Sequence, residues 1–277
     1  MTATRIGICA PSTPFTRDDA ARVIALASES HPQASLVFHD QCFAQYGHFA
    51  GTDAERLGAF VELANDPAID AIWFVRGGYG ACRIAGDAVQ RLNPAANGKR
   101  YLGYSDAGMM LAALYRAQTG ALAHGPMPAD IRRDGGEAAV RRALDWLTQD
   151  KACSHEPSLE PGQHYAAFNL MTLTMLLGTA IEPDLAGHVL LIEEVGEYDY
   201  AFDRAFFHLA DSLKGRGIAG LRLGRVSDII VNDRPFGLDS EEIARHWCGH
   251  ADIPWLGRAD IGHDAANKIV PFGRFAG

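Results

Sequence analysis

The sequence predicts an α/β protein with an N-terminal parallel-sheet domain and a smaller C-terminal α/β domain. Three observations carry this. Short apolar runs alternate with amphipathic segments through the first half, the pattern of strand–helix–strand units with right-handed crossovers. Ala71–Val75 is apolar throughout, as a strand covered on both faces should be. The stretch from Asp150 to His164, DKACSHEPSLEPGQH, has two prolines, several charges and no periodicity, which reads as a connection between domains. The expected division is residues 1–149, a linker at 150–165, and residues 166–277.

The elements follow in order. Arg5–Ala10 reads as a strand that ends in a Pro-Ser-Thr-Pro loop, and Thr16–Ser30 as a helix. Ser35–His39 is a second strand. Thr52 and Glu55 form a capping box, each satisfying a free N–H at the start of a helix that carries Leu57, Phe60, Val61 and Ala64 on one face. Ala71–Val75, Arg100–Tyr104 and Ala121–His124 are the third, fourth and fifth strands, with a helix from Asp106 to about Gln118. After the linker come an apolar helix (Asn169–Leu177), a strand (His188–Glu193) and a helix (Phe202–Leu213). Strands near Gly217–Gly224 and Asp228–Val231, a helix from Ser240 and an irregular tail ending PFGRFAG complete the chain.

Composition excludes several functions. With 25 Lys and Arg against 34 Asp and Glu, the formal charge is −9 and the pI about 5.6. That argues against nucleic-acid binding and against a polybasic membrane anchor. A hydrophobic fraction of 48% and a charged fraction of 21% are those of an ordinary globular chain. No stretch of about 18 apolar residues offers a membrane span. The N-terminus, MTATRIGICAPSTP, meets Pro11 too soon for a leader's apolar core, so a cytoplasmic protein is expected. The five cysteines are far apart and odd in number, which disfavours a disulfide framework or a metal site; no metal is expected.

In open parallel sheets, function sits beyond the carboxyl ends of strands. Three loops stand out there: Arg76–Gly80, Gly103–Asp106 and His124–Pro126. Ser105 lies between a strand and a helix, the setting of a nucleophile elbow, although Ala107 stands where the usual pattern has glycine. A helix N-cap is the competing role. Gly77, Gly78 and Gly80 let backbone approach a ligand, as an oxyanion hole, as a phosphate cradle or simply as a tight turn. A serine nucleophile needs a base and an orienting acid. Among eleven histidines, His263 lies in a glycine-containing loop and His124 at a strand end; His31, His39, His48, His155, His164 and His250 read as solvated. Glu193 and Glu194 close an apolar strand, where a carboxylate can be partly desolvated and aimed at a cleft.

Taken together, RGGYGACR, GYSD, HGPM, LLIEEVGE and GRADIGHDAANKIVPFG, in this order across nearly the whole chain, resemble the LD-carboxypeptidases. That serine peptidase family includes the microcin C immunity peptidases. The resemblance implies a flavodoxin-like N-terminal domain carrying the serine and a C-terminal domain of swivelling β/β/α character carrying Glu and His. It implies a triad of Ser105, Glu193 and His263, with the backbone N–H groups of Gly78 and Asp106 as oxyanion hole. Arg76, Gly77 and Tyr79 would face the substrate. The implied substrate is a small murein tetrapeptide, cut between an L-configured centre and a terminal D-amino acid without a cofactor. A sibling activity on peptidyl- or aminoacyl-nucleotide amides and a non-catalytic binding module are the alternatives. A homodimer is a family expectation. Two departures bear on the substrate pocket: Glu194 stands where the family usually has Asp, and Phe168 fills a usually glycine-rich segment.

Overall fold

The computed structural model describes residues 3–277. Met1 and Thr2, where the stretch read for a leader begins, lie outside the described residues. Five parallel strands form the first sheet: β1 (Thr4–Cys9), β2 (Ala34–Phe38), β3 (Ala71–Phe74), β4 (Arg100–Gly103) and β5 (Ala121–His124). Their order is β2-β1-β3-β4-β5, the flavodoxin-like order, with its switch point between β1 and β3. The helices are α1 (Arg17–Ser30), α2 (Asp53–Asn65), α3 (Ala85–Gln90), α4 (Gly108–Arg116) and α5 (Gly136–Gln149). The sheet is buried on both faces, and β3 shows how. Ile72 and Phe74 enter one core cluster with Phe60 of α2, while Trp73 enters another with Leu144 of α5, because neighbouring strand side chains point to opposite faces. The Thr52–Glu55 capping box starts α2 as expected, with both reciprocal bonds present.

The second sheet is built on β6 (His164–Asn169), β7 (His188–Val195), β8 (Gly220–Ser227) and β9 (Trp255–Arg258), all parallel. Its helices are α6 (Leu170–Leu176), α7 (Asp199–Leu213) and α8 (Ser240–Ala251). The tail then supplies one edge to each sheet. β10 (Val270–Pro271) pairs antiparallel with β5, and β11 (Gly273–Arg274) antiparallel with β6. One apolar cluster runs from Phe60 of α2 and Tyr101 of β4 through Met110 of α4 to Phe168 of β6, Leu190 of β7 and Phe206 of α7. Gly108 lets α4 approach closely: a Cβ there would lie 3.1 Å from Thr172 Cγ2 and 3.4 Å from Phe168 Cδ1.

Several expectations change. His164 opens a strand rather than closing the linker, so β6 precedes the apolar helix. Asp228–Val231 is not a strand: Asp228 turns into the left-handed region at φ 51°, and Ile230 makes only an isolated bridge to Tyr198. The tail, read as irregular, carries β10 and β11. His31 is buried and bonded to Asp145 at 2.9 Å, and His155 bonds Asp150 at 3.0 Å, so neither is a freely solvated histidine.

Candidate active site

Ser105 follows β4 directly and is held at φ 60°, the left-handed region. A non-glycine residue there stores about 1–2 kcal/mol of strain. Its hydroxyl caps no helix: neither the turn at Ser105–Ala107 nor α4 has a side-chain cap. The N-cap role considered for Ser105 is therefore absent. The elbow tolerates Ala107 because Gly103 leaves the room, a Cβ on Gly103 lying 3.0 Å from that of Ala107. Gly77 is needed for the same reason, since its Cβ would stand 2.8 Å from Ser105 Oγ.

The glycine loop after β3 lies against the serine. Gly78 and Gly80 sit at φ 111° and 137°, a backbone that other residues rarely adopt. Thr13 Oγ1 donates to Gly77 O at 2.6 Å, and Arg56 Nη1 donates to Gly80 O at 2.8 Å. The Asp106 carboxylate accepts from Ser12 Oγ at 2.5 Å and from Ala81 N at 2.9 Å, which ties three loops together. Burial outweighs these bonds and raises its pKa above the usual carboxylate value. Among the described residues, neither the Gly78 nor the Asp106 N–H donates to another protein group. Two backbone donors flanking the serine are thus left for a ligand oxygen.

The second sheet brings an acid and a base. Glu193 is fully buried, and its Oε2 accepts from His263 Nδ1 at 2.5 Å. The β7–β8 register shifts between Ile192 and Glu194, and Gly224 of β8 lies close enough that a Cβ there would be 3.0 Å from Glu193 Cβ. Bulges of this kind re-aim a side chain. Glu194 points elsewhere: its carboxylate accepts from Asn169 Nδ2 at 2.6 Å and from the N–H groups of Met171 and Val195 at 2.8 Å. Burial pulls the His263 pKa down, but the charge and hydrogen bond of Glu193 outweigh it, and the net shift is upward from 6.5.

The His263 loop is fixed from both sheets. Arg225 of β8 bonds Asp260 at 2.5 Å and Asp264 at 2.9 Å. Arg142 of α5 donates to Ala265 O and Asn267 O, both at 2.9 Å. His124 Nε2 meets Asn267 Oδ1 at 3.2 Å, and that oxygen also accepts from Gly262 N. Tyr104 packs its ring 4.9 Å from that of His263, and its hydroxyl donates to Asp130 at 2.8 Å. His124 is buried and lies edge-on to Tyr104 at 5.6 Å; burial pulls its pKa to about 4.

Ser105, Gly78 and His263 line both of two adjoining cavities, of about 700 and 350 Å³. Tyr79 faces the larger, Arg76 and Gly77 the smaller. Ser105 Oγ makes no hydrogen bond to His263 among the described residues. Of the two departures noted in the sequence, Glu194 lines the larger cavity, whereas Phe168 is core, packed on Phe272 at 5.1 Å. Arg142 and Arg225 had no signal in the sequence, because each acts on a loop far from it along the chain; Asn267 lies in the GRADIGHDAANKIVPFG segment, but its bond to His124 has no pattern in the residues alone.

The sequence matches the LD-carboxypeptidase N-terminal domain over residues 6–125 and the LD-carboxypeptidase C-terminal domain over residues 166–277. The chain belongs to the LD-carboxypeptidase family. It is accordingly a serine-type peptidase. Murein tetrapeptide carboxypeptidase of Pseudomonas aeruginosa is 27% identical over 248 residues, covering 84% of this chain and 80% of its own. A probable murein peptide carboxypeptidase of Bacillus subtilis is also 27% identical, over 97% of this chain and 86% of its own. In fold, the chain is similar to muramoyltetrapeptide carboxypeptidase from Oxalobacter formigenes, with a TM-score of 0.81, 24% identity and coverage of 96% and 93%. It is similar also to MccF in complex with glutamyl sulfamoyl guanosine, with a TM-score of 0.79, 20% identity and coverage of 99% and 92%. Among the described residues, no helix is long and apolar enough to cross a membrane.

Proposed function

We propose that this LD-carboxypeptidase hydrolyses the amide between an L-configured centre and the terminal D-amino acid of murein tetrapeptides, through an acyl-enzyme on Ser105. One observation carries the reading: a Glu193–His263 hydrogen bond opens on the same cleft as a left-handed serine with two free backbone donors beside it. Because His263 Nδ1 faces Glu193, its Nε2 is the nitrogen left to take the Ser105 proton. The serine oxygen attacks the carbonyl. Gly78 and Asp106 N–H groups stabilise the oxyanion, each worth on the order of 3 kcal/mol. His263 returns the proton to the leaving amine, and water, activated by the same base, releases the acyl group.

The lining of the larger cavity favours murein over a nucleotide. Its charged residues are Asp106, Glu194 and Glu197, and it includes no Lys or Arg. A phosphate or sulfamate would meet like charge there. The five free cysteines fit a reducing compartment, and we place the reaction in the cytoplasm, on recycled peptidoglycan fragments.

The experiment has two arms. A fluorophosphonate probe should form an adduct that peptide mapping assigns to Ser105; no adduct would mean a binding module instead. Mass spectrometry should then show D-alanine release from murein tetrapeptide with kcat/KM at least tenfold above that for an aminoacyl-nucleotide amide. The reverse order would transfer the substrate to the nucleotide class.

A further inference from the structure

The two cavities that meet at Ser105 differ in charge. The smaller one is lined by Arg76, Arg132 and Arg133, with Asp130 as its one acidic residue. Two of the three guanidiniums are already committed. Arg132 donates to Asp19 at 2.7 Å and Arg133 to Asp130 at 2.8 Å. Asp130 is itself saturated by Tyr104 and by the Met127 N–H. Arg76 is different. Among the described residues its only hydrogen bond is one of 3.3 Å from Nη1 to Pro14 O, and no carboxylate lies within ion-pair distance. A guanidinium carries five donors, so most of those on Arg76 have no protein acceptor. Arg76 is half-buried, and the nearby Arg132 charge adds repulsion to the cost of its desolvation. An anion bound beside it relieves both.

We infer that this arginine-lined cavity binds the free carboxylate of the substrate's terminal residue, with Arg76 as its principal ligand; the inference rests on the carboxypeptidase reading of Ser105 and His263. A peptide threaded past Ser105 has its terminal carboxylate on the leaving-group side. The cationic cavity on one side of the serine and the acidic, methionine-lined one on the other therefore set the direction of the chain. The cavity holds about 350 Å³, near the lower end of the roughly 300–1,000 Å³ of ligand sites. Planar guanidinium matches carboxylate in a two-point geometry that neither an amide nor an ester reproduces. Arg76 is thus a specificity residue: it restricts cleavage to the last bond of the chain, and it acts on binding rather than on the proton transfers.

The test measures binding, so that it does not depend on turnover. In a Ser105→Ala chain, calorimetric titration with murein tetrapeptide and with its C-terminal amide should show the free acid bound at least tenfold more tightly. Adding Arg76→Met, which keeps the apolar stem, should bring the ratio within about twofold of unity. Arg76→Lys keeps charge without the fork and should leave an intermediate ratio; it serves equally if the methionine variant melts far below its parent. Equal binding of acid and amide with Arg76 intact, or a ratio that both Arg76 variants leave unchanged, would overturn the carboxylate site and leave the peptidase reading standing. Failure of both peptides to bind the Ser105→Ala chain would overturn the two together.

Discussion

At the scale of single residues, the strain at Ser105 and the division of labour between two adjacent glutamates can each be measured. Ser105→Ala should abolish hydrolysis yet keep the φ 60° penalty, whereas Ser105→Gly should abolish it and relax. The glycine variant should melt higher than the alanine variant, by up to about 1 kcal/mol or roughly 2 °C. A lower melting point would show that the elbow is unstrained, and activity within tenfold of the parent would remove Ser105 as nucleophile. Glu193→Gln should lower kcat by roughly 10⁴-fold, the size expected when an orienting acid becomes an amide. Glu194→Gln should instead cost stability, on the order of 1–3 kcal/mol, because three donors lose a charged acceptor. If Glu194→Gln were the inactive variant, the orienting acid would be the wrong one of the pair. The base predicts a pH profile. Burial lowers the His263 pKa, Glu193 raises it more, and the net value lies above 6.5. Only neutral His263 can accept the serine proton, so kcat/KM should fall with unit slope as pH drops through that raised value. In Glu193→Gln the acid limb should move to lower pH, because the burial remains and the larger of the two raising charges is gone, leaving only that of Glu194. A flat profile from about pH 5 to 8 would exclude His263 as base.

At the scale of elements, β5 ends in a histidine kept neutral by burial. The pKa of His124 is pulled down to about 4, against about 6.5 in an unfolded chain. Between those values the unfolded state binds the proton and the folded state does not. The folded state therefore has its full advantage above pH 6.5 and loses it progressively toward pH 4, by about 3 kcal/mol in all. Urea unfolding at pH 7 and pH 4.5 should show most of that loss in the parent, and a smaller loss in His124→Gln. An unchanged loss would place the acid sensitivity elsewhere. His124→Gln should also cost less activity than His263→Gln, because His124 supports the loop through Asn267 rather than meeting substrate. Elements with their own periodicity or capping were legible in the sequence: Ala121–His124 is a strand to the residue, and Thr52 and Glu55 start their helix. Elements that exist only through pairing were not. β6 follows directly on a proline-containing stretch and runs straight into α6, so no turn marks it off, and the two-residue strands of the tail are strands only because β5 and β6 receive them. The site divides similarly. Alternation along β7 already implied that only one of Glu193 and Glu194 could face an imidazole, but the residues alone left Ser105 between elbow and cap, and the pairing of Ser105 with His263 came from the family resemblance.

At the scale of the molecule, the serine follows a strand of one sheet and its proposed base pairs with a carboxylate of the other, so the proposed catalysis depends on how the sheets are held. The tail crosses from one to the other in five residues, Val270 to Arg274. Phe272 sits at the middle of that crossing. Its N–H donates to Leu122 O at 2.9 Å, and its ring meets Phe168 at 5.1 Å and Tyr115 at 5.7 Å, both edge-on. The side chain is only partly buried, so Phe272→Ala should cost about 2 kcal/mol, below the 3–5 kcal/mol of a fully buried ring. The Glu193–His263 bond is made largely within the second sheet, through β7 and the Arg225 clamp, and should survive. The position of Ser105 relative to His263 should not, and a shift of order 1 Å at a reacting pair can cost about 10²-fold in rate. Phe272→Ala should therefore lower kcat/KM by tenfold or more at a temperature where the chain is still folded, while the acid limb of its pH profile stays at the parent's pH. A variant that loses stability but keeps its kcat/KM would show the tail to be a brace for the fold alone. A displaced acid limb would show that the tail supports the Glu193–His263 pair itself, and with it that the two sheets do not hold their catalytic groups independently.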